Sequence, residues 1–260
     1  MRIALGLEYD GGRFCGWQSQ PSGCGVQDAL QRAVSQIAGG LVAITGAGRT
    51  DSGVHALLQV AHFEAPASRP ETAWVRGVSA HLPQGVVVLW ARQVASDFHA
   101  RYCARERCYH YVLLNRAVRP ATWAGKVGWH HAPLDIERML AGVPYLLGRH
   151  DFSAFRSAEC QARSPVRDMR ALSIIRQGDF VVFELRADAF LQRMVRNIVG
   201  SLLYVGNNRR PPEWIYEVLD ARQRSRAAPT IGPEGLYLSG VRYDEIWQLP
   251  QPDRITPSFF

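Results

Sequence analysis

The chain has 260 residues, 47% of them hydrophobic and 20% charged, with a formal net charge of +7. That apolar content supports one large core or two ordinary ones and excludes a disordered chain. The positive balance points to a polyanionic partner. Lys126 is the only lysine, so the charge is carried by arginine, whose planar fork suits phosphates.

The elements follow in chain order. Residues 3–9 alternate as a strand, which Gly11 and Gly12 break. Val26, Leu30, Ala33 and Ile37 recur at helical spacing, and Gly39-Gly40 ends that helix. Strand 41–45 precedes a glycine-rich loop and strand 57–64 leaves it. Ser68 caps a helix with Pro70 in its first turn, running to His81, and strand 86–95 closes the first half. In the second half, strand 107–115 carries Tyr109, Tyr111 and Leu113 on one face, and His130-His131 sits in a further strand. Asp135 caps a helix with apolar positions from Ile136 to Leu147. Strands 168–176 and 180–187 form a hairpin across Gly178-Asp179. An apolar helix runs from Phe190 to Tyr204, a short one from Pro211-Pro212 to Ala221, and a last strand covers 235–243.

Both halves read β-α-β-β-α-β. The expected class is α+β: two ferredoxin-like (RRM-like) halves, each an antiparallel sheet with helices on one side, around a central active-site cleft. The boundary near Ala100–Glu106 divides the chain into residues 1–104 and 105–260. The tail from Gln248 is proline-rich but ends in Phe259-Phe260, as a docking segment would.

The five cysteines are odd in number and lack paired metal spacing, so no disulfide framework or zinc site is expected. The N-terminus alternates like a strand and meets acid at Glu8, unlike a signal peptide, and no run approaches bilayer length. A cytoplasmic protein with reduced thiols and no membrane contact is expected.

The loop Gly46-Ala47-Gly48-Arg49-Thr50-Asp51-Ser52-Gly53-Val54-His55-Ala56 sets one cation two residues from one carboxylate. Alone, such a loop is an ordinary turn. Two other stretches give it context. Phe98-His99-Ala100-Arg101-Tyr102, then Arg105, Arg107 and Tyr109-His110-Tyr111, interleave cations with rings, as an RNA surface or a solvated basic face would. Helix 190–204 is apolar nearly all round, yet holds Arg196 and Asn197. A buried Arg196 needs an anion, for which Asp51 is a candidate; the alternative is that it snorkels to the surface. The histidines form no ligand set, so metal binding is not expected.

These blocks resemble the tRNA pseudouridine synthase A family. Gly48–Ala56 is similar to its active-site signature. Tyr9-Asp10-Gly11, Gly16-Trp17-Gln18, Phe98-His99-Ala100-Arg101, Asp151-Phe152-Ser153, Met194–Gly200 and Glu234-Gly235-Leu236-Tyr237-Leu238 continue the likeness from residue 3 to 243. The resemblance implies that Asp51 is the nucleophile, that Arg196 pairs with it, and that Arg49 assists base flipping. It implies that Tyr109 stacks on the target uracil, Leu236 closes over it, and Arg101 and His55 serve substrate binding. It also implies a homodimer acting without cofactor or metal on uridines 38, 39 and 40 of the tRNA anticodon stem-loop. One departure is that Tyr109 is flanked by Cys108 and His110, where the family often has basic residues.

Two rival readings fit part of the residues. A non-catalytic RNA-binding module would need the basic surface but not Asp51. A metal-assisted hydrolase would use Asp51, His55 and His62, but lacks a carboxylate cluster.

Overall fold

The computed structural model describes residues 1–250 and divides into two compact units. One comprises Met1–Glu106 with the described residues from Tyr237 to 250, the other Arg107–Leu236. The phenylalanine pair at the end of the tail lies outside the described residues.

In the first unit, β1 (Arg2–Tyr9) pairs antiparallel with both β3 (His55–Glu64) and β4 (Val86–Val94), with Leu5 opposite Ala61 and Ala91. Flanked on both sides, β1 buries Ile3 to Leu7 in succession rather than alternately. The far edge of β3 is shared. β2 (Thr45–Gly46) pairs antiparallel at Ala61 and His62, and the last strand, β10 (Leu236–Tyr243), runs parallel at His55 and Ala56. That last strand, expected in the second half, thus adds its residues from Tyr237 to the first unit.

α1 (Val26–Ala38) buries Val26, Leu30, Ala33 and Val34 on one face and ends on Gly39 at φ 76°. Asp28 accepts the Gly25 N–H at 3.0 Å and completes its N-terminus. The helix expected from Ser68 begins instead at Glu71, passes through a π-turn at Ala73–Gly77 and ends as α2 (Val78–His81). Gly77 of the π-turn lies under Ile37 of α1. Trp74 meets Phe63 of β3 edge-on at 5.1 Å.

Residues 41–44 form no strand, contrary to expectation. The Val42 N–H is taken by Ser35 Oγ at 3.2 Å and the Ile44 carbonyl by Gln27 Nε2 at 2.8 Å. Side chains of α1 therefore satisfy a backbone that would otherwise seek a ladder.

In the second unit, β5 (Ala104–Asn115, from Arg107 on), β9 (Phe180–Ala187), β8 (Val166–Gln177) and β7 (Gly148–Asp151) follow one another antiparallel. β6 (Gly128–His130) adds in parallel to β5. β7 reads Gly-Arg-His-Asp and has no apolar alternation to announce it. Asp135 Oδ1 accepts the Arg138 N–H at 3.0 Å and caps α3 (Ile136–Gly142), as expected.

α4 (Met194–Gly206) starts four residues later than its apolar pattern. Arg193 sits in the left-handed region at φ 62°, and the Gln192 carbonyl accepts the Ser157 N–H at 3.0 Å. A tertiary partner has claimed a group the helix would need. Within α4 the stripe Met194, Ile198 and Leu202 is fully buried, and α5 (Trp214–Ala221) follows.

Cys15 and Cys24 are joined by a disulfide, with Cα atoms 5.5 Å apart. This corrects the expectation of thiols throughout. The two lie nine residues apart in sequence, on either side of Gly16-Trp17, and folding of that loop brings them together. Cys103, Cys108 and Cys160 remain thiols.

Candidate active site

The glycine-rich loop of the first unit carries no regular structure between β2 and β3 and is held from both sides. The Ala47 N–H donates to the Val60 carbonyl at 2.7 Å. Gln59 Nε2, from β3, donates to the Gly48 carbonyl at 2.8 Å. The Thr50 carbonyl accepts the Trp17 N–H at 3.0 Å, and Thr50 Oγ1 bonds the Tyr9 hydroxyl at 2.8 Å. Burial pushes the Tyr9 hydroxyl pKa up to about 12, so it stays protonated. Thr50 is buried, Arg49 exposed and Asp51 half-buried. The Asp51 carbonyl accepts the Val54 N–H at 3.1 Å in a tight turn that places Gly53 at φ 80°. Gly16 touches the other side: a Cβ there would stand 2.9 Å from the Thr50 carbonyl. The backbone that carries Asp51 is thus held on both sides.

His55 follows at the start of β3 and is 2% exposed. Its Nδ1 lies 3.1 Å from both the Gly11 N–H and Asp10 Oδ1, and its ring stacks on Tyr237 at 4.7 Å. The neutral ring accepts from Gly11; a proton on Nδ1 would turn it to Asp10. The Gly11 Cα in turn abuts the Val54 backbone, leaving no room for a side chain. His55 therefore braces the loop from below. His62 accepts the Ala100 N–H at 3.2 Å, so the two histidines serve different segments. Arg101 is exposed, 6.0 Å from the centroid of the Tyr102 ring. His99 stacks on that same ring at 4.2 Å. Among the described residues, no three His, Cys, Asp or Glu side chains group as metal ligands.

In the second unit, Tyr109 of β5 is 8% exposed and meets Phe190 edge-on at 5.1 Å. Arg196 of α4 is half-buried, and its Nε donates to the Ile231 carbonyl at 2.7 Å. The Tyr111 hydroxyl donates to the Gly232 carbonyl at 3.0 Å, and the Val112 N–H to the Gly235 carbonyl at 2.8 Å. Residues 231–235, which lead to the buried Leu236, are thereby lashed to α4 and β5.

Of two supporting residues, Asn197 stands out in the sequence only as a break in an apolar helix, and Gln59 not at all. Asn197 is fully buried. It donates to the Phe155 carbonyl at 2.7 Å and accepts from Thr230 Oγ1 at 2.6 Å and from Arg224 at 3.2 Å. Gln59 anchors Gly48 from a buried strand. Both are amides in otherwise apolar runs, and that is the available signal, because a buried amide must find partners.

A family model described as tRNA pseudouridine synthase matches residues 7–103 and 143–244. The tRNA pseudouridine synthase A of Thiobacillus denitrificans is 58% identical over 257 residues, covering 99% of each chain. That of Methylobacillus flagellatus is 55% identical over 254 residues, covering 98% of this chain and 97% of its own. That of Chromobacterium violaceum is 57% identical over 251 residues, covering 96% of each. Matched along nearly its whole length, the chain belongs to the tRNA pseudouridine synthase family, a family of isomerases.

Proposed function

We propose that the protein isomerises uridine to pseudouridine at positions 38, 39 and 40 of the tRNA anticodon stem-loop, with Asp51 as nucleophile and no cofactor. The observation that carries this reading is the Asp51 loop, pinned through Gly48 and Thr50 in a chain of this family.

The reaction breaks the bond from uracil N1 to ribose C1′, turns the base and rejoins it through C5. C5 loses a proton and N1 gains one, so substrate and product are isomers and no redox partner is needed. The Asp51 carboxylate forms the covalent adduct that keeps sugar and base in play. The Tyr109 ring stacks on the detached uracil, which permits rotation in its plane. Leu236 closes the apolar side and excludes water. Arg49 assists flipping, which costs a few kcal/mol of unstacking, and Arg101 takes a phosphate. Arg196, aimed by its bond to Ile231, pairs with Asp51. His55 serves the substrate from behind the loop.

In this reading the chain works as two ferredoxin-like halves around a central cleft. Residues 1–104 supply the nucleophile loop, and residues 105–260 supply the tyrosine and the arginine. The antiparallel pairing of β1 with both β3 and β4 supports that description for the first half. The protein acts as a cytoplasmic homodimer.

Asp51→Asn tests the assignment. Turnover should fall at least about 10⁴-fold, on the order of 5 kcal/mol in barrier, while tRNA affinity stays within about tenfold. Tritium release from tRNA labelled at uridine C5 reads the turnover. Substantial release by the asparagine variant would remove Asp51 from its role.

A further inference from the structure

In the second unit, an open cavity of about 610 Å³ is lined by Tyr204, Arg210, Trp214, Arg224, Arg226 and Pro229 among others. The Tyr204 and Trp214 rings stack with centroids 6.1 Å apart and planes at 17°. The Arg209 guanidinium lies 5.2 Å from the Tyr204 centroid, and that of Arg210 lies 5.6 Å from the Trp214 centroid. Arg224 reaches in from below, its NH2 donating to Thr230 Oγ1 at 3.0 Å and to Asn197.

The site is built rather than draped. The backbone N–H groups of Arg209 and Arg210 both donate to the Tyr204 carbonyl, at 3.0 and 3.1 Å, and Pro211-Pro212 follow. Among the described residues, none of Arg209, Arg210, Arg224 and Arg226 pairs with a carboxylate. Burial above all, then the neighbouring Arg193, holds the Arg224 pKa below its usual value. Guanidinium groups beside stacked rings match a phosphate ester that carries a flat base.

We propose that this cavity is a second RNA contact, which takes a backbone phosphodiester of the tRNA on Arg210, Arg224 and Arg226 and an unpaired base at the half-buried Tyr204 ring, which the buried Trp214 backs. It rests on the reading of tRNA as substrate, and it adds a contact outside the set built on Asp51, Tyr109 and Arg196.

The test compares wild type, Arg210→Gln/Arg226→Gln and Arg210→Lys/Arg226→Lys for binding a full-length tRNA transcript across a salt series. The glutamine pair should bind about tenfold more weakly and reduce the slope of log Kd against log salt by one to two, while the lysine pair keeps the wild-type slope. If the glutamine pair fails to give a native circular dichroism melt, Arg226→Gln alone should bind about threefold more weakly. A folded glutamine variant with wild-type Kd and slope overturns the proposal. So does saturable binding of inorganic phosphate that the variant loses while keeping wild-type tRNA affinity, since the cavity then serves a free anion. Failure of wild type to bind and isomerise tRNA would instead strike the functional reading itself.

Discussion

Tyr109 and His62 show how single side chains can be tested against the roles their surroundings allow. Tyr109 is nearly buried and set edge-on to Phe190, so its ring face is the feature the packing orients. Stacking is worth about 1–3 kcal/mol per base. Tyr109→Phe should therefore keep kcat/KM within about threefold, whereas Tyr109→Leu should lose roughly 10- to 100-fold. Equal losses in the two would mean that the hydroxyl moves a proton. His62 is buried beside His99 and Arg2, and burial above all, then repulsion from the His99 ring and the Arg2 guanidinium, lowers its pKa to about 4. Its neutral ring accepts the Ala100 N–H, and a proton on that nitrogen would remove the acceptor. The folded pKa lies below the ordinary value of 6.5, so between pH 6.5 and 4 the unfolded chain binds more protons. This contribution is complete above pH 6.5 and is lost as the pH falls towards 4. The thermal midpoint should drop from pH 7 to pH 5, and His62→Gln should flatten part of that drop. A variant with the same pH dependence as wild type would clear His62 of it.

At the scale of elements, α4 illustrates what periodicity can and cannot reveal. Its apolar stripe identified a buried helix, and Asn197 within it marked a polar knot whose members lie at Phe155, Arg224 and Thr230. Asn197→Ala would strand those donors and acceptors, at a cost of about 2–4 kcal/mol in stability. Urea titration should show a lower midpoint with an unchanged m-value; a loss below about 1 kcal/mol would mean that water replaces the amide. The helix starts later than its apolar pattern because the Gln192 carbonyl is claimed by Ser157, thirty-five positions upstream. Residues 41–44 form no strand for the same reason, their backbone taken by Ser35 and Gln27, and only Thr45 joins a ladder. Local pattern reports which residues want burial, whereas the hydrogen-bond partner decides which backbone form they take.

At the scale of the whole molecule, the proposed homodimer predicts a single species at twice the chain mass in sedimentation equilibrium at micromolar concentration; a monomer under those conditions would refute it. The cores of both units and their elements β1, α1, β3, β5, α3, β8 and β9 follow from spacing that the chain carries locally, as does the glycine-rich loop around Asp51. Burial preference and capping act over a few residues, so a linear reading reaches them. Four features were settled only on folding: the addition of the last strand to β3, the Cys15–Cys24 bond, the knot around Asn197, and the bracing of Gly48 and Thr50 by Gln59, Tyr9 and Trp17. Each joins groups whose pairing depends on where distant backbone comes to rest. Hydrogen bonds and disulfides are made by proximity, and proximity across a chain is a property of the closed fold rather than of any window along it.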